Sequence, residues 1–359
     1  MNKTKVTKGM GRRRFMVCLA LGAALLIGFG APGVSADPGG PVNGLIKLLE
    51  VGRPTAYQAL TIVPIYRTDS PRPADLVMLD EALKNGWIEI AELDGGRVPQ
   101  VRISNLSKRT IYIMGGEILS GARQDRILAS DLLLGPGTRN LVAPVFCVEH
   151  GRWTATTPQF TTKNNIGTYD LRAKAAAKGD AAQTDIWNSV AEQNARVGVA
   201  SPTSAYQDAY EAESNKTKIQ AIEEKMSSIP RLMKDTVGVV IALGGRVASA
   251  DIFADPALFQ KQWPKILRSS ALSAIGRPAS GRLDQSAAAD FLKALADLTY
   301  QQKKGLDLGQ EFSCLEDEVT VQALVLDEAV IHLAAFAQEG ARKKVIETES
   351  PEQRLRVIR

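Results

Sequence analysis

Between residues 60 and 148 the chain is cut into short apolar, β-branched segments by turn-forming residues, and this spacing restricts it to an antiparallel, sheet-based fold. Residues 60–66 form one such segment, with Pro64 marking an edge or a bulge. Residues 87–93 alternate apolar and polar side chains, and Asp94-Gly95-Gly96 turns the chain back. Residues 99–104, 110–114, 127–134 and 140–148 are further strand candidates, separated by Asn105-Leu106-Ser107 and Gly135-Pro136-Gly137. Within this pattern residues 74–85 predict a short helix stopped by Asn85-Gly86.

After Trp153 the composition changes. Residues 154–168 read as a Thr/Asn-rich connection. Residues 171–197 carry Ile186, Trp187, Val190 and Ala191 at helical spacing. Ser201, with Pro202 behind it, predicts the N-cap of a second helix that runs to about residue 230, with a break near Ser214-Asn215. Residues 237–243 are continuously apolar, as in a buried strand, and turn at Gly244-Gly245 into a strand over 246–253. Asp255-Pro256 caps a helix bearing Leu258, Phe259, Trp263 and Ile266, and residues 284–300 predict another. Strands over 311–314, 319–326 and 329–336 follow, the last two joined by a hairpin turn at Asp327-Glu328. The expected fold is α+β: antiparallel β-sandwich-like sheets with a helical insertion and helices packed on one side. Residues 59–338 form a single domain, β-rich over 59–153, helical over 170–230 and mixed over 236–338. A spacer over 37–58 precedes it, and a charged flexible tail over 339–359 follows.

The first 36 residues read differently from the rest. Lys3, Lys5, Lys8, Arg12, Arg13 and Arg14 precede an uncharged stretch of 16 residues from Phe15 to Gly30, and Val34-Ser35-Ala36 ends the segment with small side chains. About 20 helical residues are needed to cross a bilayer, so a removable signal peptide is expected rather than an anchor. Export to the periplasm or the extracellular space follows, with no transmembrane anchor left after cleavage. Arg12-Arg13-Arg14-Phe15-Met16 fits a twin-arginine pattern and equally an ordinary basic leader. The full chain has 44 Lys plus Arg against 39 Asp plus Glu, and loss of six basic residues with the leader leaves 38 against 39. The basic balance therefore belongs to the leader, and no nucleic-acid partner is expected. Cys147 and Cys314 remain, and an oxidising compartment permits a disulfide between them. With His150 and His332 the only histidines, neither a metal site nor a cofactor is expected.

The densest polar stretch runs from Met114 to Trp153. Gly115-Gly116-Glu117 sits at a strand end, where glycines allow close backbone approach. Gln124 and Arg126 share one face of an extended segment, and Glu149, Arg152 and Trp153 end the next hairpin. One reading is a ligand site. There Gln124, Arg126 and Arg152 grip a small anionic or sugar-containing ligand, and Trp153 offers a stacking face. A second reading is a hydrolase, acting on ADP-ribose-like, nucleotide or glycosidic substrates, with Glu117 and Glu149 as an acid/base pair. A third makes the same residues structural: Arg126–Glu117 and Arg152–Glu149 ion pairs fix the hairpins while Trp153 caps the core. Thiol chemistry or metal binding at Cys147 is disfavoured, because His150 points to the opposite face of the strand. Asp251 is a further candidate carboxylate, or a strand-to-helix turn residue.

Gly116-Glu117, Gly121, Gln124, Arg126, Pro144-Val145, Cys147-Val148-Glu149 and Gly151-Arg152-Trp153 together resemble the ARG and Rhodanese-Phosphatase-superfamily-associated Protein domain family. Ile186-Trp187, Ser201-Pro202-Thr203, Gly244-Gly245-Arg246, Asp251-Ile252-Phe253 and Trp263-Pro264 extend the resemblance over about residues 60–336. Asp125 departs from the Asn more usual there, and replaces a donor by a group that only accepts. The resemblance implies association with ADP-ribosylglycohydrolase-like and phosphatase-like proteins, which is a context and not a reaction.

Overall fold

A strand whose successive side chains face two different cores needs cover on both sides, and residues 236–253 are built that way. The structure, a computed structural model, describes residues 39–69, 75–93, 99–152, 157, 159–179, 181–231 and 234–338. The expected leader, the tail and Trp153 lie outside the described residues.

In chain order the elements begin with α1 (Gly40–Ile46), β1 (Leu49–Val51), β2 (Thr55–Tyr57), β3 (Leu60–Arg67), β4 (Val77–Met78), α2 (Leu79–Lys84), β5 (Ile88–Glu92) and β6 (Gln100–Asn105). Then come β7 (Ile111–Ile113), β8 (Glu117–Gly121), β9 (Arg126–Leu128), β10 (Leu132–Leu134), β11 (Leu141–Cys147) and β12 (Phe160–Ile166). The helical part holds α3 (Tyr169–Ala177), α4 (Ala182–Arg196), α5 (Asp208–Glu211) and α6 (Glu213–Met226). The chain continues through β13 (Thr236–Leu243), β14 (Arg246–Phe253), α7 (Pro256–Ala274) and α8 (Gln285–Ala296). It closes with β15 (Gln301–Lys304), β16 (Gln310–Glu316), β17 (Val319–Leu326) and β18 (Ala329–Ala337).

The fold is α+β. A nine-stranded antiparallel sheet runs β1-β3-β13-β14-β18-β17-β16-β15, with β2 also paired to β3. A six-stranded sheet, β12-β8-β9-β11-β6-β5, and a three-stranded one, β10-β7-β4, enclose a second core of Ile90, Val101, Ile103, Ile113, Leu128 and Val145. On the large sheet Leu60, Ile62, Val239 and Ile241 face α3, α4, α6 and α7, the expected helical layer. Val63, Ile65, Val240 and Ala242 face the other way, against Val42 and Leu45 of α1 and Leu292 and Leu295 of α8. Each fully buried aliphatic side chain of this kind contributes about 1.5–3 kcal/mol. Among the described residues no helix is long and apolar enough to cross a membrane.

Several local expectations change. The spacer over 37–58 contains α1, β1 and β2, because Val42, Leu45 and Ile46 find an apolar partner in α8. The Thr/Asn-rich connection contains β12, whose polar side chains hide a backbone ladder with β8. Ser201 caps no helix. Its Oγ accepts from the Ala205 N–H (2.7 Å) and donates to Asp208 Oδ2 (2.5 Å), and so ties a loop. The helix predicted there starts later and breaks at Ala212, between α5 and α6. β15 was not legible, since all four of its residues are exposed. By contrast Asp255 caps α7 by accepting from the Leu258 N–H (3.0 Å), as expected. Cys147 and Cys314 are both buried free thiols.

Candidate functional site

The loop from Gly121 to Arg126 and the end of the β11 hairpin do meet, and they meet as closed ion pairs. Arg152 Nε donates to Glu149 Oε2 (2.8 Å), Nη1 donates to the Ala122 carbonyl (2.8 Å), and Nη2 lies 3.1 Å from Asp125 Oδ1. Asp125 Oδ1 also accepts from the Gly121 N–H (2.9 Å), so the acceptor-only carboxylate suits its neighbours. Burial, with Glu149 adding to it, raises the Asp125 pKa against the opposing Gly121 hydrogen bond and Arg152. Thr203 Oγ1 donates to Glu149 Oε1 (3.1 Å). Arg126 Nη1 donates to Gln124 Oε1 (3.1 Å) and Cys147 Sγ (2.9 Å), and Gln124 Nε2 donates to the His150 carbonyl (3.3 Å).

Gln124, Arg126 and Glu149 are 0%, 2% and 6% exposed, and each is held by the partners just named. Among the described residues, then, this cluster fastens two hairpin ends with its polar atoms turned on one another. The expected Arg152–Glu149 pair forms (2.6 Å), whereas Arg126 finds Glu92 (3.6 Å) instead of Glu117. Cys147 is fully buried, and burial pushes its thiol up to about 11, which disfavours the thiolate.

Glu117 belongs to a different network. It is wholly buried and accepts from Lys265 Nζ (2.7 Å), which also reaches Asp80 (3.1 Å). Burial raises the Glu117 pKa, and Lys265 opposes that rise without cancelling it. Glu117 and Glu149 thus each hold their own cation in separate networks.

Sequence reading singled out Asp251 but not the group around it, and Asp251 lies within β14 rather than at the strand-to-helix turn. The β14–β18 register pairs Asp251 with Ala334 and Phe253 with His332, which sets Asp251 and His332 as diagonal neighbours on one face. His332 Nε2 lies 3.2 Å from Asp251 Oδ1, and Nδ1 lies 2.8 Å from Asp131 Oδ2. Arg172, from α3, grips Asp251 through Nη2 (2.6 Å) and Nη1 (3.1 Å). Asp131 Oδ1 accepts from the Gly115 N–H (2.6 Å). Carboxylate, imidazolium, carboxylate and guanidinium therefore alternate in sign, which makes their burial tolerable. Burial favours the neutral His332 ring, but Asp131 and Asp251 outweigh it and raise its pKa to about 9. Burial likewise opposes ionisation of Asp251, and Arg172 and His332 overcome it, holding that carboxyl well below its usual range. The signal that could have found this group is an ionisable residue inside an apolar strand, as Asp251 is in β14 and His332 in β18.

Asp131 is where this chain of charges reaches solvent. With Ser130, Lys178, Lys303, Glu311 and Gln322 it lines a cleft of about 240 Å³ between the end of α3 and β15–β17. Lys178 follows α3 in a left-handed conformation (φ 51°), and its Nζ lies 3.2 Å from Ser130 Oγ and 3.5 Å from Glu311. Lys303 holds the same Glu311 carboxylate at 2.9 Å. At its far end the Glu117 network opens through Asp80 into a groove of about 820 Å³ beside α2 and β12, which Lys84, Asn85, Thr161 and Asn164 line from exposed positions. In the smaller cleft Asp131 and Glu311 are buried and Lys178 is half-buried, whereas Lys84, Asn85, Thr161 and Asn164 of the groove are exposed, so the smaller cleft is the better candidate. Among the described residues no group of three His, Cys, Asp or Glu side chains is arranged to hold a metal ion.

A family model, the ARG and Rhodanese-Phosphatase-superfamily-associated Protein domain, matches residues 48–336. No curated protein and no solved structure matches the chain.

Proposed function

Because the chain belongs to the ARG and Rhodanese-Phosphatase-superfamily-associated Protein domain family, whose name states associations and no reaction, we propose a function from the geometry of its cleft. The protein is an exported binding module for a small, hydroxyl-rich, sugar-containing ligand. The observation that carries this reading is the balance of the cleft walls: Lys178 and Lys303 stand against Asp131 and Glu311, with Ser130 and Gln322 between them. Two amines set against two carboxylates do not select a polyanion. Alternating donors and acceptors instead match a ligand whose hydroxyls both give and accept hydrogen bonds. A volume of about 240 Å³ suits a single sugar ring rather than a polymer. The basic, apolar and small-residue order of the first 36 residues supports export.

The test is a melting-shift panel of neutral monosaccharides, ADP-ribose, nucleotides and inorganic phosphate. A ligand that binds only the folded state raises the midpoint by an amount that grows with the logarithm of its concentration above its Kd. A neutral sugar is expected to raise it, and Ser313→Trp, which fills the cleft from a half-buried position on β16, is expected to abolish the rise. No rise with any sugar-containing probe would refute the assignment. A rise with phosphate alone would replace it with an anion site.

A further inference from the structure

We propose that Ser130 is a nucleophile and Lys178 its general base, acting on acyl esters of the hydroxyl-rich compounds that the cleft admits. The inference rests on that binding reading and adds a reaction to it. Its first support is geometric: Ser130, itself 3% exposed, lines the cleft, and its Oγ lies 3.2 Å from Lys178 Nζ. That separation is within hydrogen-bond reach of a base that must take the hydroxyl proton.

The second support is how firmly Ser130 is held. Its neighbour Asp131 is bound on both carboxylate oxygens, by the Gly115 N–H and by His332. Gly115 packs so close that a methyl there would stand 3.1 Å from Ser130 Cα and from the Asp131 nitrogen. The Asp131–His332–Asp251–Arg172 chain thus anchors the backbone beside the serine, and it need not touch a substrate to do so. The residues from Asp131 inward are positioning residues.

The third support concerns the base. Burial, the largest influence, lowers the Lys178 pKa, Glu311 opposes it, and Lys303 adds to the lowering. Lys303 sits nearer the shared Glu311 carboxylate than Lys178 does (2.9 against 3.5 Å), so the carboxylate chiefly neutralises Lys303.

In the reaction Ser130 Oγ adds to the ester carbonyl carbon while its proton passes to Lys178 Nζ. Collapse of the tetrahedral intermediate breaks the bond to the alkoxy oxygen, which leaves as the alcohol with the proton returned by Lys178. Water then adds to the acyl-serine, giving one proton to Lys178. Ser130 Oγ departs and recovers that proton, and a carboxylic acid is released. Ester and water become acid and alcohol, with no further reactant.

The experiment treats the full chain with a fluorophosphonate and reads intact and peptide masses. One adduct is expected, on the peptide containing Ser130, and none in Ser130→Ala. Lys178→Arg keeps a nitrogen donor beside Ser130 but cannot act as a base near neutral pH, so it should label at least about 100-fold more slowly at an unchanged melting midpoint. The wild-type labelling rate should rise with pH through a midpoint below that of a free lysine. No adduct, an adduct retained in Ser130→Ala, or equal labelling of Lys178→Arg overturns the proposal. The sugar melting shift of the wild-type chain is measured in parallel. A shift without labelling removes the nucleophile and leaves the binding role, and labelling without a shift does the reverse.

Discussion

At the residue scale the deciding feature is which charges have found partners out of water. Asp251 is 1% exposed and holds Arg172 and His332 at once. Its removal leaves two buried cations competing for Asp131, and breaking a buried pair costs about 3–5 kcal/mol. Asp251→Asn, nearly isosteric, should lose that much in urea unfolding. His332 adds a pH dependence whose sign is fixed by its raised folded-state pKa. Its stabilisation is full below the ordinary value of 6.5 and is lost as pH rises through about 9. Asp251 works in the opposite sense, its contribution fading only as pH falls through its depressed value. Wild-type stability should therefore decline between pH 6.5 and about 9, and His332→Gln should flatten that decline. A parallel decline in the variant would remove His332 as its source. None of this was visible one residue at a time, because a histidine in an apolar strand does not announce its partners.

At the element scale, α7 carries Gln262, Lys265, Ser269 and Ser273 along one buried side. Their spacing of three or four residues keeps them on one helix face, and that face meets the polar seam rather than an apolar one. Lys265 reaches Glu117, and Ser269 Oγ donates to the Gly167 carbonyl (3.0 Å). Across the seam Gly116 has φ +95°, and a methyl there would lie 2.6 Å from Arg172 Cγ. Gly116→Ala should cost about 1–3 kcal/mol from backbone strain alone, with the Arg172 clash added, read as a lowered urea midpoint. The sequence marked the glycine pair as a place of close approach without saying what approaches. The visitor is the arginine of α3. Elements whose cues are local were legible: the Asp255 cap, the Asn85-Gly86 stop and the Asp327-Glu328 turn, with φ 48° and 63°. Those held by partners alone were not. β12 and β15 have polar sequences, and only the neighbouring backbone makes them strands.

At the scale of the whole molecule, one large sheet carries helices on both faces and a small sandwich beside it, and the cleft lies where the Ser130–Asp131 turn of that small sandwich meets the edge strands of the large sheet. The described residues all fall within Asp37–Arg359. If the leader is removed as proposed, the mature chain recovered from an exporting bacterial host should begin at Asp37 by intact mass. A chain retaining Met1 in that fraction would end the export proposal.

The apolar strands, the Asp255 helix cap, the Asp327-Glu328 hairpin turn and the α+β class were legible in the sequence alone, because their cues lie a few positions apart where the backbone dictates the geometry. The partners of the charges were decided only by tertiary structure. Asp131 and His332 are 201 positions apart in the chain and 2.8 Å apart in space. Electrostatic pairing depends on distance through the protein and not along it, so no pattern of neighbours could have written that contact.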